Sequence, residues 1–201
     1  MTRPSLLIDL QRCMGCMSCI VACKMEQEVP IGIRLTKVDT VGPLGVFPDG
    51  LRMYYFPQGC MHCNAPACVP ACPTGASYVR EEDGLVLIDP ELCPGCDYCI
   101  TACPYGARSI DPAVNKAVKC NLCVDLIDNG GRPSCVKHCM AYARIYGDLD
   151  DPNSDINKYL DEGDNRSRMV HMLEDQGTGP SVMYLTPRSG MKDGEVTLGL
   201  H

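Results

Sequence analysis

Sixteen cysteines in four groups of four constrain this 201-residue chain more than any other feature. No cysteine is left over, and within each group neighbouring cysteines are close in sequence. Three thiols separated by two residues each can surround only a compact object, which a metal cluster would be. The groups are Cys13, Cys16, Cys19 and Cys23; Cys60, Cys63, Cys68 and Cys72; Cys93, Cys96, Cys99 and Cys103; and Cys120, Cys123, Cys135 and Cys139.

Disulfide bonds and structural zinc are two alternative uses of so many cysteines. Disulfide frameworks belong mainly to small secreted scaffolds. Structural zinc sites typically use two separated Cys-x-x-Cys pairs. The first and third groups instead have the spacing Cys-x-x-Cys-x-x-Cys-x-x-x-Cys, which places three ligands in one tight turn. The spacing therefore disfavours both alternatives.

The third alternative is iron–sulfur ligation, and one bacterial ferredoxin motif matches it closely. That motif is C-x₂-C-x₂-C-x₃-C-P, and its fourth cysteine ligates the other cluster of a pair. Residues 93–104 match every position, and Cys72-Pro73 matches the end of the motif in the second group. The fourth cysteine lies about one helical turn beyond the third, so it projects away from the first cluster. We predict four [4Fe–4S] clusters.

The chain also contains an internal duplication. Residues 7–9 precede Cys13 by the same interval as residues 87–89 precede Cys93. Residues 66–72, PACVPAC, also resemble residues 133–139, PSCVKHC, with both cysteines at the same positions. Such a repeat must be identified before the fold is interpreted. It predicts an α+β fold of two bacterial-ferredoxin-like units, each with two clusters. Short apolar segments separated by turn residues predict hairpins at 77–88 and 109–119. Helical structure is expected within 16–27 and in short stretches that end at Cys72 and Cys103.

The rule for the fourth cysteine predicts which groups pair. The second and third groups are neighbours in sequence, so they form an inner unit at residues 51–112. The first and fourth groups form a discontinuous outer unit, residues 1–50 and 113–147, although Lys24 and Met140 replace the expected prolines. The predicted ligand sets are Cys13, Cys16, Cys19 and Cys139 (cluster 1); Cys60, Cys63, Cys68 and Cys103 (cluster 2); Cys93, Cys96, Cys99 and Cys72 (cluster 3); and Cys120, Cys123, Cys135 and Cys23 (cluster 4).

Charge and hydropathy exclude two classes of function. The formal net charge of −7 argues against nucleic-acid binding, which needs a basic surface. The sequence has no run of eighteen apolar residues, so we expect no transmembrane segment. The first ten residues have neither the long apolar region of a secretory signal nor a twin-arginine pair, so we expect no export signal.

Several motifs resemble one known family over roughly residues 5–150. They include Cys60-Met61-His62-Cys63, Cys103-Pro104-Tyr105-Gly106-Ala107 and Lys119-Cys120-Asn121-Leu122-Cys123. The chain resembles the four-cluster iron–sulfur subunit of the molybdopterin oxidoreductases, which include dimethyl sulfoxide, polysulfide, thiosulfate and arsenate reductases.

This resemblance implies an electron-transfer subunit of an anaerobic respiratory complex, not a catalytic chain. It implies docking on a large subunit that carries a molybdenum or tungsten bis-pyranopterin, and in many complexes a membrane subunit that exchanges electrons with quinone. It also implies a location peripheral to the membrane, either cytoplasmic or reached by export with a signal-bearing partner.

Residues beside the ligands have less specific interpretations. Each group already contains four cysteines, so neighbouring histidines are not expected to be ligands. Nearby tyrosines are expected to shield a cluster from water, and nearby aspartates either tune a cluster or are simply solvated. These residues are His62 and His138, Tyr98 and Tyr105, and Asp9, Asp89 and Asp97.

Two segments without cysteines are predicted to contact partners. Residues 29–50 contain several glycines and prolines and are expected to form a loop that docks on another protein. The C-terminal tail, residues 148–201, is expected to wrap over a partner. Within it we predict a short helix at 155–162 and a strand at 182–185 that adds to a partner's sheet.

The mechanism expected from the sequence is one-electron relay, because no group is short of a ligand and no nucleophile with its base is present. Two rival functions remain: a polyferredoxin-like subunit of a cytoplasmic formate dehydrogenase or hydrogenase complex, and a zinc-binding interaction protein.

Overall fold

A computed structural model describes residues 3–48 and 50–188 of the chain. They form a mixed fold of short helices and strands. The helices are α1 (Ser18–Glu26), α2 (Tyr98–Thr101), α3 (Val124–Asp128), α4 (Ser134–Lys137) and α5 (Asp155–Leu160). The strands are β1 (Pro4–Asp9), β2 (Thr36–Leu44), β3 (Arg52–Gly59), β4 (Ser77–Val79), β5 (Val86–Ile88), β6 (Arg108–Asp111), β7 (Lys116–Lys119), β8 (Arg144–Asp148), β9 (Met169–His171) and β10 (Val182–Leu185).

The two hairpins predicted from the sequence are confirmed. Strand β4 pairs with β5, and β6 pairs with β7, both antiparallel. Gly84 lies between β4 and β5 with a φ of 76°, a left-handed conformation that glycine adopts without a Cβ clash. Asn115 has a φ of 52° in the second turn, where asparagine is also tolerated. Turn residues of these two types therefore set both hairpins.

Strand β1 is the centre of a four-stranded sheet with the order β8-β1-β10-β9. Every residue of this strand is buried, which suits the apolar run Leu6-Leu7-Ile8 at its centre. Leu6 and Ile8 face one core with Tyr184, whereas Leu7 faces a second core with Ile156. This alternation follows the two-residue period of a strand.

The expectation for the C-terminal strand was wrong. Strand β10 runs parallel to β1, with Leu7 opposite Met183, and its other edge pairs with β9. Tyr184 and Leu185 have no measurable exposure, so β10 completes the sheet of its own chain instead of extending a partner's.

The predicted helix at 155–162 is present as α5, and the Ser154 side chain caps it. Residues 189–201 of the predicted tail lie outside the described residues.

The segment 29–50 is not a simple loop as predicted. Nine of its 22 residues form β2, which pairs with β3 in a long antiparallel hairpin. Val41 is buried with Tyr54 and Phe56 of the opposite strand, so apolar packing outweighs the local preference of glycine and proline. The register shifts between Val41 and Leu44, around Gly42 and Pro43. Here the sequence composition gave a misleading prediction.

Helix α1 confirms the helix predicted within residues 16–27, but the stretch before Cys72 forms turns instead of the expected helix. Helix α1 packs against α4, and β1 pairs with β8. Both contacts join the first quarter of the chain to residues beyond 130. None of the helices in the described residues is long and apolar enough to cross a membrane.

Candidate metal centres

The loops of the first and third cysteine groups share one backbone conformation. Gly15 and Gly95 have φ values of 68° and 74°, and the residues two positions later, Met17 and Asp97, have φ values of 62° and 64°. Helices α1 and α2 begin directly after Met17 and Asp97. A left-handed conformation costs a non-glycine residue about 1–2 kcal/mol. Its recurrence at equivalent positions indicates that both loops are shaped for the same ligand.

The second and fourth groups also correspond. His62 and Leu122 each follow the first cysteine of their group by two residues, and both have positive φ, 43° and 59°. His62 is buried, and its Nε2 donates a hydrogen bond of 3.1 Å to the carbonyl oxygen of Cys120. Burial and the Lys119 cation hold the pKa of His62 well below its usual value. A neutral imidazole therefore joins the loops of these two groups.

Cys139 is far from the first cysteine group in sequence, but in the fold it lies beside cysteines of that group. Burial raises the pKa of Cys13, and the sulfurs of Cys19 and Cys139 raise it further. Cys19 also lies near Cys135. The β1–β8 pairing and the α1–α4 packing bring these residues together.

Cys23 lies with cysteines of the fourth group. Burial, with the sulfurs of Cys135 and Cys123, raises its pKa to about 12. Burial and the sulfurs of Cys135, Cys60 and Cys23 raise the pKa of Cys120. All five sulfurs line one cavity, whose other lining residues include Leu6, Ile8 and Val182. Cys60 therefore lies where the second group meets the fourth.

The second and third groups are also in contact. Burial raises the pKa of Cys63 to about 11, and the sulfurs of Cys60, Cys103 and Cys68 contribute to this shift. Cys93 and Cys99 share a buried apolar cluster with Cys68, and Cys72 packs against it. All sixteen thiols are free, and the two that are exposed, Cys16 and Cys96, are the second cysteines of equivalent groups.

Backbone N–H groups donate hydrogen bonds to five of the sulfurs. Such bonds stabilise negative charge on a thiolate, and they are one of the factors that set the potential of an iron–sulfur cluster. The donors and acceptors are Ser77 to Cys72 (3.4 Å), Ala117 to Cys93 (3.3 Å), Leu122 to Cys120 (3.4 Å), Ser134 to Cys123 (3.4 Å) and Ala143 to Cys139 (3.3 Å).

Two buried arginines also contact sulfur. Arg108 Nη2 donates to Cys68 Sγ at 2.8 Å, and Arg144 Nη1 donates to Cys135 Sγ at 3.6 Å. Burial alone would lower the pKa of each guanidinium, but the nearby sulfurs raise both above the usual value. These two arginines were not predicted from the sequence. Their signal was present, because each follows a fourth cysteine, Cys103 or Cys139, by five residues.

These donors fit an anionic iron–sulfur cluster. Thiolates, N–H groups directed at sulfur and buried cations together suit a cluster whose ligated form is negatively charged. Arg108 Nη1 is buried and has no hydrogen-bond partner among the described residues, so it retains a donor for a further acceptor. In the described part of the chain, no three side chains of the metal-binding types meet around a point suitable for one ion. A cubane cluster instead distributes its four thiolates over four iron atoms.

Other residues considered in the sequence analysis have structural contacts. The buried carboxylate of Asp9 accepts hydrogen bonds from the Gln11 N–H at 2.9 Å and from the Tyr159 hydroxyl at 2.7 Å. Asp89 accepts the equivalent bond from the Glu91 N–H at 2.8 Å. These contacts give both aspartates a role in shaping the approach to a cysteine loop.

The two tyrosines near the third group differ. Tyr98 is 62% exposed, whereas Tyr105 is buried and its hydroxyl lies 2.5 Å from Thr178 Oγ1. Thr178 also lies close to Cys63. The backbone of residues 178–181 bonds to the Met61, Asn64 and Ala65 backbone, so the C-terminal segment covers the loop of the second group.

Comparison with known proteins agrees with this chemistry. A family model described as a 4Fe-4S dicluster domain matches residues 51–149, and a 4Fe-4S binding domain matches residues 10–26. The chain is 38% identical to a sulfite dehydrogenase subunit of Allochromatium vinosum, over 94% of this chain and 85% of that protein. It is 40% identical to a tetrathionate reductase subunit of Salmonella typhimurium, over 97% and 75%.

A third relative is covered over still more of its own length. A polysulfide reductase chain from Wolinella succinogenes is 40% identical over 90% of this chain and 93% of that protein. Identity at this level over nearly whole chains extends well beyond the cysteine motifs. The resemblance inferred from the motifs is confirmed: the chain belongs to the iron–sulfur subunits of the molybdopterin oxidoreductase family and is an electron-transfer subunit that is not catalytic alone.

Proposed function

We propose that the chain holds four [4Fe–4S] clusters in two nested ferredoxin-like units. In this proposal it relays single electrons between a catalytic subunit with a molybdenum or tungsten bis-pyranopterin and a quinone-linked membrane subunit or another redox partner. The observation that carries the proposal is the proximity of cysteines from distant groups, above all Cys13 with Cys139 and Cys23 with Cys135. Those contacts support the ligand sets and the unit boundaries predicted from the fourth-cysteine rule.

The residues of the chain have distinct tasks in this proposal. The sixteen thiolates fix the clusters, which when bound supply reversible one-electron chemistry. The five backbone N–H donors and the two buried arginines stabilise negative charge at sulfur. Apolar side chains such as Leu6, Ile8 and Val182 exclude water from the cavity lined by Cys120 and its neighbours. Low water access lets these nearby charges act strongly on a bound group.

The contacts between cysteine sets support a single linear order. Set 1 adjoins set 4 through Cys19 and Cys135, and set 4 adjoins set 2 through Cys120 and Cys60. Set 2 adjoins set 3 in the buried cluster that contains Cys68 and Cys99. The exposed cysteines, Cys16 in set 1 and Cys96 in set 3, lie at the two ends of this order. Electrons would enter at one end and leave at the other.

Exposed apolar side chains near both ends support docking of partners there. Met14, Val21 and Met25 are 57%, 61% and 77% exposed near Cys16. Leu92 and Tyr98 are 53% and 62% exposed near Cys96. Relatives named as parts of polysulfide and tetrathionate reductases support a large catalytic partner and a location peripheral to the membrane.

Metal and sulfide analysis of the intact chain tests this proposal. Four clusters require about sixteen iron atoms and about sixteen inorganic sulfides per chain. The protein should be brown, and after reduction it should give electron paramagnetic resonance signals of interacting clusters. About eight iron atoms, or stoichiometric zinc, would reject the assignment. Purifying the complex under anaerobic conditions and identifying the large subunit would test the partner, because a chain without a pyranopterin cofactor would contradict that part.

A further inference from the structure

Arg108 and Arg144 occupy equivalent places in the duplicated chain. Each forms a hydrogen bond with the third cysteine of one group, Cys68 or Cys135. Each also lies close enough to the third cysteine of the paired group for their charges to interact: Arg108 to Cys99 and Arg144 to Cys19. In the proposed assignment, Arg108 lies between clusters 2 and 3, and Arg144 lies between clusters 4 and 1.

Neither guanidinium is compensated by a carboxylate within residues 3–48 and 50–188. Arg108 is 4% exposed and Arg144 is 6% exposed. Apart from sulfur, Arg144 bonds to Thr36 Oγ1 at 3.1 Å. Burying a cation without a counter-charge is unfavourable. Anionic clusters on both sides would supply the missing negative charge.

We propose that each arginine is a positioning residue whose fixed charge raises the midpoint potentials of the two clusters beside it. This inference rests on the proposed ligand assignment. Reduction adds an electron to a group that is already negative, and a cation in contact with its sulfurs favours the reduced state. Because each guanidinium reaches thiolates of two sets, one charge acts on both clusters of a unit. The effect is strong where water is excluded.

Substitution of one arginine should therefore affect one pair of clusters. Arg108→Gln removes the charge and keeps a hydrogen-bonding side chain, and it should lower the midpoint potentials of clusters 2 and 3. Arg144→Gln should lower those of clusters 4 and 1. Arg108→Lys and Arg144→Lys retain the charge but hold it further from sulfur, so they should lower the same two midpoints by a smaller amount than the glutamine variants. Arg132→Gln is the control, because Arg132 is exposed and pairs with Asp155 at 2.8 Å.

The experiment is a redox titration of each full-length, loaded variant, followed by electron paramagnetic resonance. Iron and sulfide are measured first, and a wild-type chain without four clusters would refute the proposed function rather than this inference. Support requires two of four midpoints to fall in Arg108→Gln and the other two to fall in Arg144→Gln. Unchanged midpoints in fully loaded variants would overturn the inference. So would a uniform shift of all four midpoints.

A purely structural role has a different signature. If the glutamine variants lose iron, the lysine variants decide the matter, because their charge lies on a differently shaped side chain. Fully loaded lysine variants with two lowered midpoints, in the pair expected for each arginine, would uphold the inference, since the charge is then further from sulfur. If the lysine variants have wild-type midpoints and the glutamine variants do not bind clusters, the arginines serve cluster assembly. That result would overturn the inference.

Discussion

The phenol of Tyr159 donates a hydrogen bond of 2.7 Å to the buried carboxylate of Asp9. Tyr159 lies in α5, and Asp9 ends β1 just before the first cysteine group. Burial, together with the Asp9 charge, raises the pKa of Tyr159 to about 12. A single bond thus connects the C-terminal segment to the approach of a cysteine loop.

Tyr159→Phe should destabilise the loaded protein, because Asp9 then loses a donor while it stays buried. Hydrogen bonds to charged groups contribute about 1.5–3 kcal/mol. The denaturant concentration at which half of the cluster absorbance is lost should fall. Tyr142→Phe is the control, since Tyr142 is 77% exposed.

The same bond gives a pH dependence. The pKa of Tyr159 is raised on folding, so its contribution is complete below the unfolded value of 10 and is lost as pH rises through about 12. The difference in denaturation midpoint between wild type and Tyr159→Phe should be constant from pH 7 to about 9 and shrink at higher pH. Equal denaturation midpoints of the two proteins at pH 7 would contradict a stabilising role for this bond.

Gly95→Ala should impair the third cysteine group more than Gly84→Ala impairs its hairpin. Both glycines have positive φ, 74° and 76°, so both alanines carry the left-handed penalty of about 1–2 kcal/mol. Only at Gly95 would the new Cβ also collide with a backbone atom, the carbonyl oxygen of Asn115. We expect Gly95→Ala to lose iron and Gly84→Ala to keep it. Equal iron contents would show that the loop adapts.

Removing the iron should unfold the chain. Burial raises the pKa of Cys63 to about 11 and of Cys23 to about 12, so an iron-free core would contain protonated thiols and no cross-links. Metal ligation and folding are coupled when the site does not form without metal. Circular dichroism of iron-depleted protein should show little regular structure, and a cooperative thermal transition in that sample would refute the expectation.

The interleaved ligands can be tested by counting altered clusters in double variants. If Cys139 and Cys13 serve one cluster, the Cys139→Ser/Cys13→Ser variant should alter no more clusters than Cys139→Ser alone. Cys139→Ser/Cys120→Ser should alter two. Substitutions that act on one site are not additive, whereas independent ones are. If Cys139→Ser/Cys13→Ser altered two clusters and Cys139→Ser/Cys120→Ser altered no more than Cys139→Ser alone, Cys139 would belong to the cluster of Cys120. That result would refute the nested arrangement.

The sequence was most informative where spacing alone determines structure. The hairpin β4–β5 and helix α1 follow local rules of alternation and turn chemistry, and both were predicted. The cysteine groups were visible for the same reason. Arg108 and Arg144 were missed although each lies five residues beyond a fourth cysteine, because only the fold brings the guanidinium to a sulfur.

Long-range pairing explains the errors. Whether Val182–Leu185 joins its own sheet or a partner's depends on β1, at the other end of the chain. The glycines and prolines of residues 29–50 predicted a loop because the partner strand, Arg52–Gly59, was not considered with it. In both cases the contact that stabilises the strand lies outside any local window.

The central position of β1 has a consequence for biosynthesis. The ribosome releases Pro4–Asp9 long before either of its neighbours, Arg144–Asp148 and Val182–Leu185. The inner cysteine groups are therefore complete while the apolar β1 still lacks both neighbours. We expect the inner cysteine groups to assemble first and β1 to stay unpaired until both of its neighbours have been synthesised.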